Sequence, residues 1–268
     1  MPHHEYQRDE AVLVREEAEF EAAFGLLCPS YFAEKSFRDR GFSENKLLRH
    51  GYGFDEGTYF PDAITRKRDK QFVALFVGVD AVRKGLHLAM QAWLASTASK
   101  EGKFLIAGEL SSEFKNKFAV EFSHPSIIAL GHRGDVPELM RHADLLVLPS
   151  LEEGSALVCA EAVGSGCVPV VSQACTGICL HLQNALVHPV GDTQTLARHI
   201  TMLYEDRSLV QKLREVCIRD RLNYTWTAAG PKLLGAYQVA IDRYAALRKR
   251  LVVGQARIDP HPSVPTVN

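Results

Sequence analysis

The 268-residue chain has no uncharged apolar run near the ~18 residues a membrane-spanning helix requires. Its first residues, Met1 to Glu10, are polar and lack the apolar centre of a secretion signal. An excess of one charge is missing too. Lys+Arg 31 against Asp+Glu 32 leaves a net charge of -1, so there is no broad basic field to attract nucleic acid. These absences predict a cytoplasmic protein with no nucleic-acid partner. With 46% apolar and 24% charged residues, disorder is excluded, and one large or two modest domains are expected.

Several chemical signatures are absent as well. There is no Walker loop, and no Gly-x-Gly pair opens a strand–helix unit with a third glycine, so a dinucleotide fingerprint is missing. No Gly-x-Ser-x-Gly nucleophile elbow occurs. The lack of any Asp-x-Asp pair speaks against a metal-chelated diphosphate. Six cysteines fall mostly within apolar elements. Cys175 and Cys179 have no second ligand pair at zinc spacing, so the thiols read as free core residues and no metal is expected.

What the chain does contain is an alternation. Short apolar runs at 72–77, 104–107, 127–130, 145–148, 169–172 and, more weakly, 186–188 predict strands. Helical patterns separate them at 85–94, 111–122, 136–142, 156–165 and 193–204. Apolar strands divided by helices predict an α/β domain with a doubly wound parallel sheet over 71–225. Before it, 10–24 reads as an acidic helix, 25–28 as a strand, and Ser30 as the N-cap of a second helix. The charged stretch 65–70 reads as a linker. After it, 226–251 reads as a long amphipathic helix and 254–268 as a frayed tail. The helix end carrying Arg243, Arg248, Lys249 and Arg250 suits peripheral contact with an anionic inner membrane face, though solvated charge explains it equally well.

The most informative segment follows the run 145–148. Two carboxylates, Glu153 and Glu161, flank Gly154, Ser155, Ala156, Leu157 and Val158. A helix starting near Ser155 aims its free N–H groups and positive dipole end at the sheet edge. Gly154 lets a ligand approach the backbone closely. At the α-helical rise the two carboxylates stand up to ~12 Å apart, about the span from a sugar ring past a diphosphate to a ribose. An exposed helix residue is the plainer reading of Glu161. It stands, however, in an otherwise apolar run where an unpaired charge is costly.

Two further groups sit at predicted strand ends. Gly78 follows the first strand, and Arg83 and Lys84 precede a helix. Cations are unfavourable there unless an anion is present, which predicts a diphosphate. His132 and Arg133 follow the third strand, placed to lie against a base, and Asp135 reads as a helix N-cap.

Taken in order, these residues resemble the retaining glycosyltransferases of family 4, which have the GT-B fold. The match runs from about Glu17 to Tyr244. It includes Leu27-Cys28-Pro29-Ser30-Tyr31-Phe32, Tyr52-Gly53-Phe54-Asp55, Phe76-Val77-Gly78 with Arg83-Lys84-Gly85, and Ala143-Asp144. It continues through Pro149-Ser150 with Glu153-Gly154, Glu161-Ala162, Gly166, Pro169-Val170-Val171, Pro189-Val190-Gly191-Asp192 and Trp226. The resemblance implies retaining transfer of a hexose from a UDP- or GDP-linked sugar to a polysaccharide, lipid or small acceptor. It implies no cofactor and no metal.

By the same resemblance, Glu153 contacts donor-sugar hydroxyls and Glu161 the ribose. Arg83 and Lys84 hold the diphosphate as the anomeric bond breaks, aided by backbone N–H groups from Ser155 to Val158. The chain departs from the family at Ser155 and Ala156, where an aromatic residue and a glycine are usual, and at Val79, where Arg is frequent. Residues 1–64 are expected to be a remnant of the acceptor-side domain. The donor domain is placed at 71–225, a helix at 226–252 and a flexible tail at 253–268. The rival is a noncatalytic nucleotide-sugar-binding module completed by a separate acceptor-domain chain. An epimerase of similar fold is disfavoured by Glu153 and Glu161.

Overall fold

The structure, a computed structural model, describes residues 10–62, 71–175 and 177–255. The predicted linker at 65–70 and the tail beyond 255 lie outside the described residues.

The first segment folds as helix α1 (Glu10–Ala22), strand β1 (Leu26–Cys28), helix α2 (Tyr31–Asp39) and strand β2 (Leu47–Arg49). β1 and β2 pair in parallel. Leu26, Cys28 and Leu47 form a small core against Phe20, Phe37 and Phe42. Ser30 caps α2 as expected, accepting from the Ala33 N–H at 3.0 Å. β2 went unrecognised in the sequence because only three residues carry it.

The main sheet comprises β3 (Val73–Val77), β4 (Lys103–Ala107), β5 (Ile127–Gly131), β6 (Leu145–Leu148), β7 (Val168–Ser172) and β8 (Leu186–His188). Its order is β5-β4-β3-β6-β7-β8, with every pairing parallel. Counted from β3 this is the order 3-2-1-4-5-6 of a doubly wound sheet, with its switch point between β3 and β6. Every residue of β6 and β7 is buried, as strands covered on both faces must be.

The covering helices are α3 (Leu86–Ala95), α4 (Ser112–Lys117), α5 (Ala119–Phe122), α6 (Val136–His142), α7 (Leu157–Ser165), α8 (Thr193–Glu205) and α9 (Arg207–Asp220). The single helix predicted at 111–122 is two, broken at Phe118 (φ -111, ψ 31). There the Phe118 ring packs on Phe114 and stacks on His87. α9 was not predicted, although Val210, Leu213, Arg214 and Cys217 bury one face at helical spacing. Arg214 hid the pattern. It is buried because its Nη1 donates to the Gly166 carbonyl, 2.7 Å away.

Asp144 closes the opposite, amino-terminal side of the sheet. Its carboxylate accepts from the Val73 N–H at 2.9 Å and from Arg207 at 2.9 Å, tying β3 and α9 to the start of β6. The final helix, α10 (Trp226–Gln255), returns to the first segment. Tyr244 meets Phe24 edge-on, and Arg243 donates to the Asn45 carbonyl. Among the described residues no helix is long and apolar enough to cross a membrane. All six cysteines are buried and free.

Between β2 and the main sheet, residues 53–62 lie across α7 and α6. The buried Phe54 ring fills the place where a side chain at Gly164 would stand: an added Cβ would come 2.5 Å from it. Farther on, Phe60 lies under Arg141 at 4.6 Å. This docking carries Tyr59 to α7.

Candidate functional site

The loops leaving β3 and β6 meet at the switch point, where doubly wound sheets hold their ligands. The Leu151 N–H donates to the Arg83 carbonyl at 2.8 Å. Gly85 makes the approach possible. It has φ +71, and an added Cβ would stand 2.1 Å from the Pro149 carbonyl oxygen. Gly78 serves the same loop, since a Cβ there would press on the Lys84 side chain at 3.3 Å.

Within this junction the Lys84 ammonium forms an ion pair with Glu153 Oε1. The Ser150 hydroxyl donates to the same oxygen at 2.9 Å, and its own carbonyl accepts from Ser172 at 2.6 Å. Arg83 Nη1 stands 3.7 Å from Glu153 Oε2, while its Nε holds Asp80 at 3.0 Å. The Glu153 side chain is 5% exposed. A carboxylate so far from water stands only with such partners.

The predicted electrostatic conflict at Arg83 and Lys84 therefore has an internal answer. Asp80 and Glu153 supply the negative charge that the sequence reading had reserved for a diphosphate alone. Both cations precede α3, whose N-cap is Gly85.

α7 begins at Leu157, one residue beyond the start of the pattern predicted at 156–165, and Ala156 at its N-cap offers no side-chain hydrogen bond. Among the described residues no side chain caps its first N–H groups, which follow the turn carrying Glu153. A cleft of about 390 Å³ opens at the turn before α7, lined by Phe32, Ser36, Arg83, Glu152, Glu153 and Gly154 among others.

Glu161, expected as a lone acid in an apolar run, has a partner. The Tyr59 hydroxyl hydrogen-bonds its carboxylate. Burial raises the Glu161 pKa above the ordinary carboxylate value, against the lowering effect of that hydrogen bond. Burial, then the Glu161 charge, pushes the Tyr59 hydroxyl up to about 12. Tyr59 was not foreseen, and nothing local to it in the sequence marks it. Ser150 stood inside the quoted motif, three residues before Glu153, without its role being read.

His132 and Arg133 lie exposed after β5, at the carboxyl edge but two strands from β3. At ~4.8 Å per strand that is about 10 Å along the edge. Asp135 occupies the N-cap position of α6 but makes no side-chain cap bond. Its carboxylate turns instead to Arg133, with the Nε contact at 2.7 Å. The bidentate pair won because a guanidinium fork satisfies both oxygens where a backbone N–H satisfies one.

The doubly wound sheet, with converging loops at its switch point, has the fold of a GT-B glycosyltransferase. A family model described as glycosyl transferases group 1 matches residues 71–206, and the chain belongs to that family. It is 25% identical over 232 residues to an N,N'-diacetylbacillosaminyl-diphospho-undecaprenol alpha-1,3-N-acetylgalactosaminyltransferase of Campylobacter jejuni, covering 76% of this chain and 57% of that protein. It is 29% identical over 160 residues to a D-inositol 3-phosphate glycosyltransferase of Mycobacterium bovis, covering 57% of this chain and 31% of that one. The chain thus spans about half the length, or less, of these relatives.

Among solved structures, sucrose-phosphate synthase from Thermosynechococcus elongatus superposes with TM-score 0.73 at 19% identity, covering 94% of this chain and 65% of that one. The Anabaena protein HepE, solved with UDP and glucose, superposes with TM-score 0.68 at 18% identity, covering 89% and 66%. At these identities the likeness concerns the fold.

Proposed function

We propose that the chain binds a UDP- or GDP-linked hexose at the switch point and takes part in its transfer, with retention, to a glycan, lipid or small acceptor. The observation that carries this is the convergence of Lys84, Arg83 and the uncapped start of α7 on Glu153, with Glu161 farther along the same helix. The diphosphate lies between the two cations and the α7 N–H groups, which are set in place before charge develops on it. Glu153, held on Oε1 by Lys84 and Ser150 and with Arg83 3.7 Å from Oε2, offers Oε2 to sugar hydroxyls. Glu161, fixed by Tyr59, accepts from the ribose. The base extends along the edge toward His132 and Arg133. No metal takes part in this scheme, because Arg83 and Lys84 provide the positive charge.

In this reading residues 1–64 belong to the acceptor side, 71–225 form the donor domain, and 226–252 return across both. The Campylobacter and Mycobacterium relatives are named for acceptors carrying phosphate, which supports a phosphorylated acceptor here. The basic end of α10 offers a peripheral membrane contact for a lipid acceptor, with Arg248 and Lys249 exposed.

A second reading is a noncatalytic nucleotide-sugar-binding module that works with a separate acceptor-domain chain. Calorimetry with UDP- and GDP-sugars, on wild type and Glu161→Ala, tests donor binding. The account expects binding in wild type and its loss in the variant. Absence of nucleotide binding in wild type defeats both readings, and turnover by this chain alone defeats the second.

A further inference from the structure

The turn at 152–155 separates cavities of opposite electrostatic character. On one side, a groove of about 840 Å³ is rimmed by Glu16, Glu17, Glu21 and Glu152. The donor cleft beside it is lined by Glu152 and Glu153 as well as Arg83. On the other side, past Ser155, lies a cavity of about 310 Å³ with no carboxylate among the described residues of its lining. Its polar lining is Arg49, His50, Asn223 and Lys232, with Ser155 and the Tyr52 ring. Gly154 lines the donor cleft and Ser155 this cavity, so one peptide unit divides the two.

Of the two cations of this cavity one is unanswered. Lys232 is exposed on α10 and enters no ion pair among the described residues. Arg49 stands 3.1 Å from Glu34, which also pairs with Arg38, itself 3.3 Å from Glu44, so the unanswered charge of the cavity is that of Lys232. Net positive charge in a concave site raises the local concentration of anions.

The rim is aromatic. Tyr52 is 39% and Trp226 48% exposed, their ring centroids 6.0 Å apart, and His50 meets Tyr52 edge-on at 5.3 Å. Exposed rings held by one another offer a rigid apolar face at little entropic cost, suited to the C–H face of a pyranose.

We propose that this cavity binds a sugar monophosphate, its phosphate between Lys232 and Arg49 and its ring against Tyr52. On the glycosyltransferase reading, from which the word acceptor is taken, this ligand is the acceptor or its phosphorylated end. It lies one residue from the donor cleft, while the acidic groove repels it. The volume accommodates one sugar unit with its phosphate.

The test is calorimetry on the whole chain with glucose 6-phosphate, glucose and inorganic phosphate, and with UDP on the same sample. Glucose 6-phosphate is expected to bind at least about tenfold more tightly than either glucose or phosphate. Lys232→Gln and Arg49→Gln each weaken it about tenfold, the scale of a lost charge-assisted hydrogen bond. Tyr52→Leu brings its affinity down to that of phosphate, and Lys84→Met leaves it unchanged, which separates this cavity from the donor cleft.

Absence of glucose 6-phosphate binding in wild type overturns the proposal. So does affinity equal to that of phosphate, or indifference to both cation substitutions. If UDP binds and glucose 6-phosphate does not, this inference falls and the donor reading stands. If glucose 6-phosphate binds and UDP does not, the donor reading falls and this cavity stands.

Discussion

Lys84 and Glu153, 69 residues apart in sequence, form an ion pair across the switch point of the sheet. With side chains 17% and 5% exposed, the pair is shielded enough for its integrity to matter to folding. Removing one member leaves the charge of the other largely buried without its closest partner. Lys84→Met is therefore expected to destabilise the chain by about 2 kcal/mol, and the double variant Lys84→Met with Glu153→Gln by less than the sum of the singles. Urea unfolding of the four proteins of this cycle reads the coupling directly.

Glu161 gives a prediction of opposite sign. Its carboxyl pKa is raised in the folded state by burial, so the ionised form disfavours folding. The cost is absent at pH values below the unfolded carboxylate pKa. It develops as pH rises toward the raised folded value and is complete above it. Glu161→Gln keeps an acceptor for the Tyr59 hydroxyl while removing the charge. The Tm is expected to rise at pH 7 by about 3 °C, the scale of about 1 kcal/mol in a chain of this size. The gain vanishes on acidification below the carboxylate range, and UDP affinity falls. Such a trade marks a charge retained for a ligand.

Gly85→Ala is expected to cost about 3 kcal/mol or more. It puts a side chain at φ +71 and 2.1 Å from the Pro149 carbonyl. Thermal unfolding measures the loss. Recovery of UDP binding in a folded Gly85→Ala protein would show that the loop contact is dispensable.

A histidine cluster sets the response to acid. His199 packs against His181 and His188 at ring distances of 5.6 and 6.4 Å. Burial, with His181, His188 and Arg198 nearby and Asp192 opposing them, lowers its pKa to about 4. In the unfolded chain the same ring titrates near 6.5, so between those values the unfolded state binds the extra proton and stability falls with falling pH. The expected loss is about 2 kcal/mol between pH 7 and pH 4. Urea midpoints across that range, flattened in His199→Gln, check it.

The sheet was legible because each of its six strands is a short apolar run closed by a polar turn. The runs predicted at 145–148 and 186–188 coincide with β6 and β8. The site was legible to the extent that it is local: Glu153, Gly154, Arg83 and Lys84 sit where strand-to-turn patterns place them. What sequence could not supply was the pairing between them. Nothing near Tyr59 announces that Phe54, lodged against Gly164, carries it to Glu161. Asp135 looked like a cap because capping is a local preference. It is not one because Arg133 offers a better bond. α9 was missed where Arg214 interrupts an apolar face with a guanidinium that is itself buried.

The central claim is that a nucleoside diphosphate binds where the Lys84 loop meets the start of α7. A crystal structure of the chain with UDP or GDP tests it most directly. The account predicts the diphosphate within hydrogen-bond distance of Lys84 or Arg83 and of the N–H groups at 156–158, with the ribose on Glu161. A nucleotide bound elsewhere on the molecule, leaving Lys84 and Glu153 paired and Glu161 untouched, would contradict it.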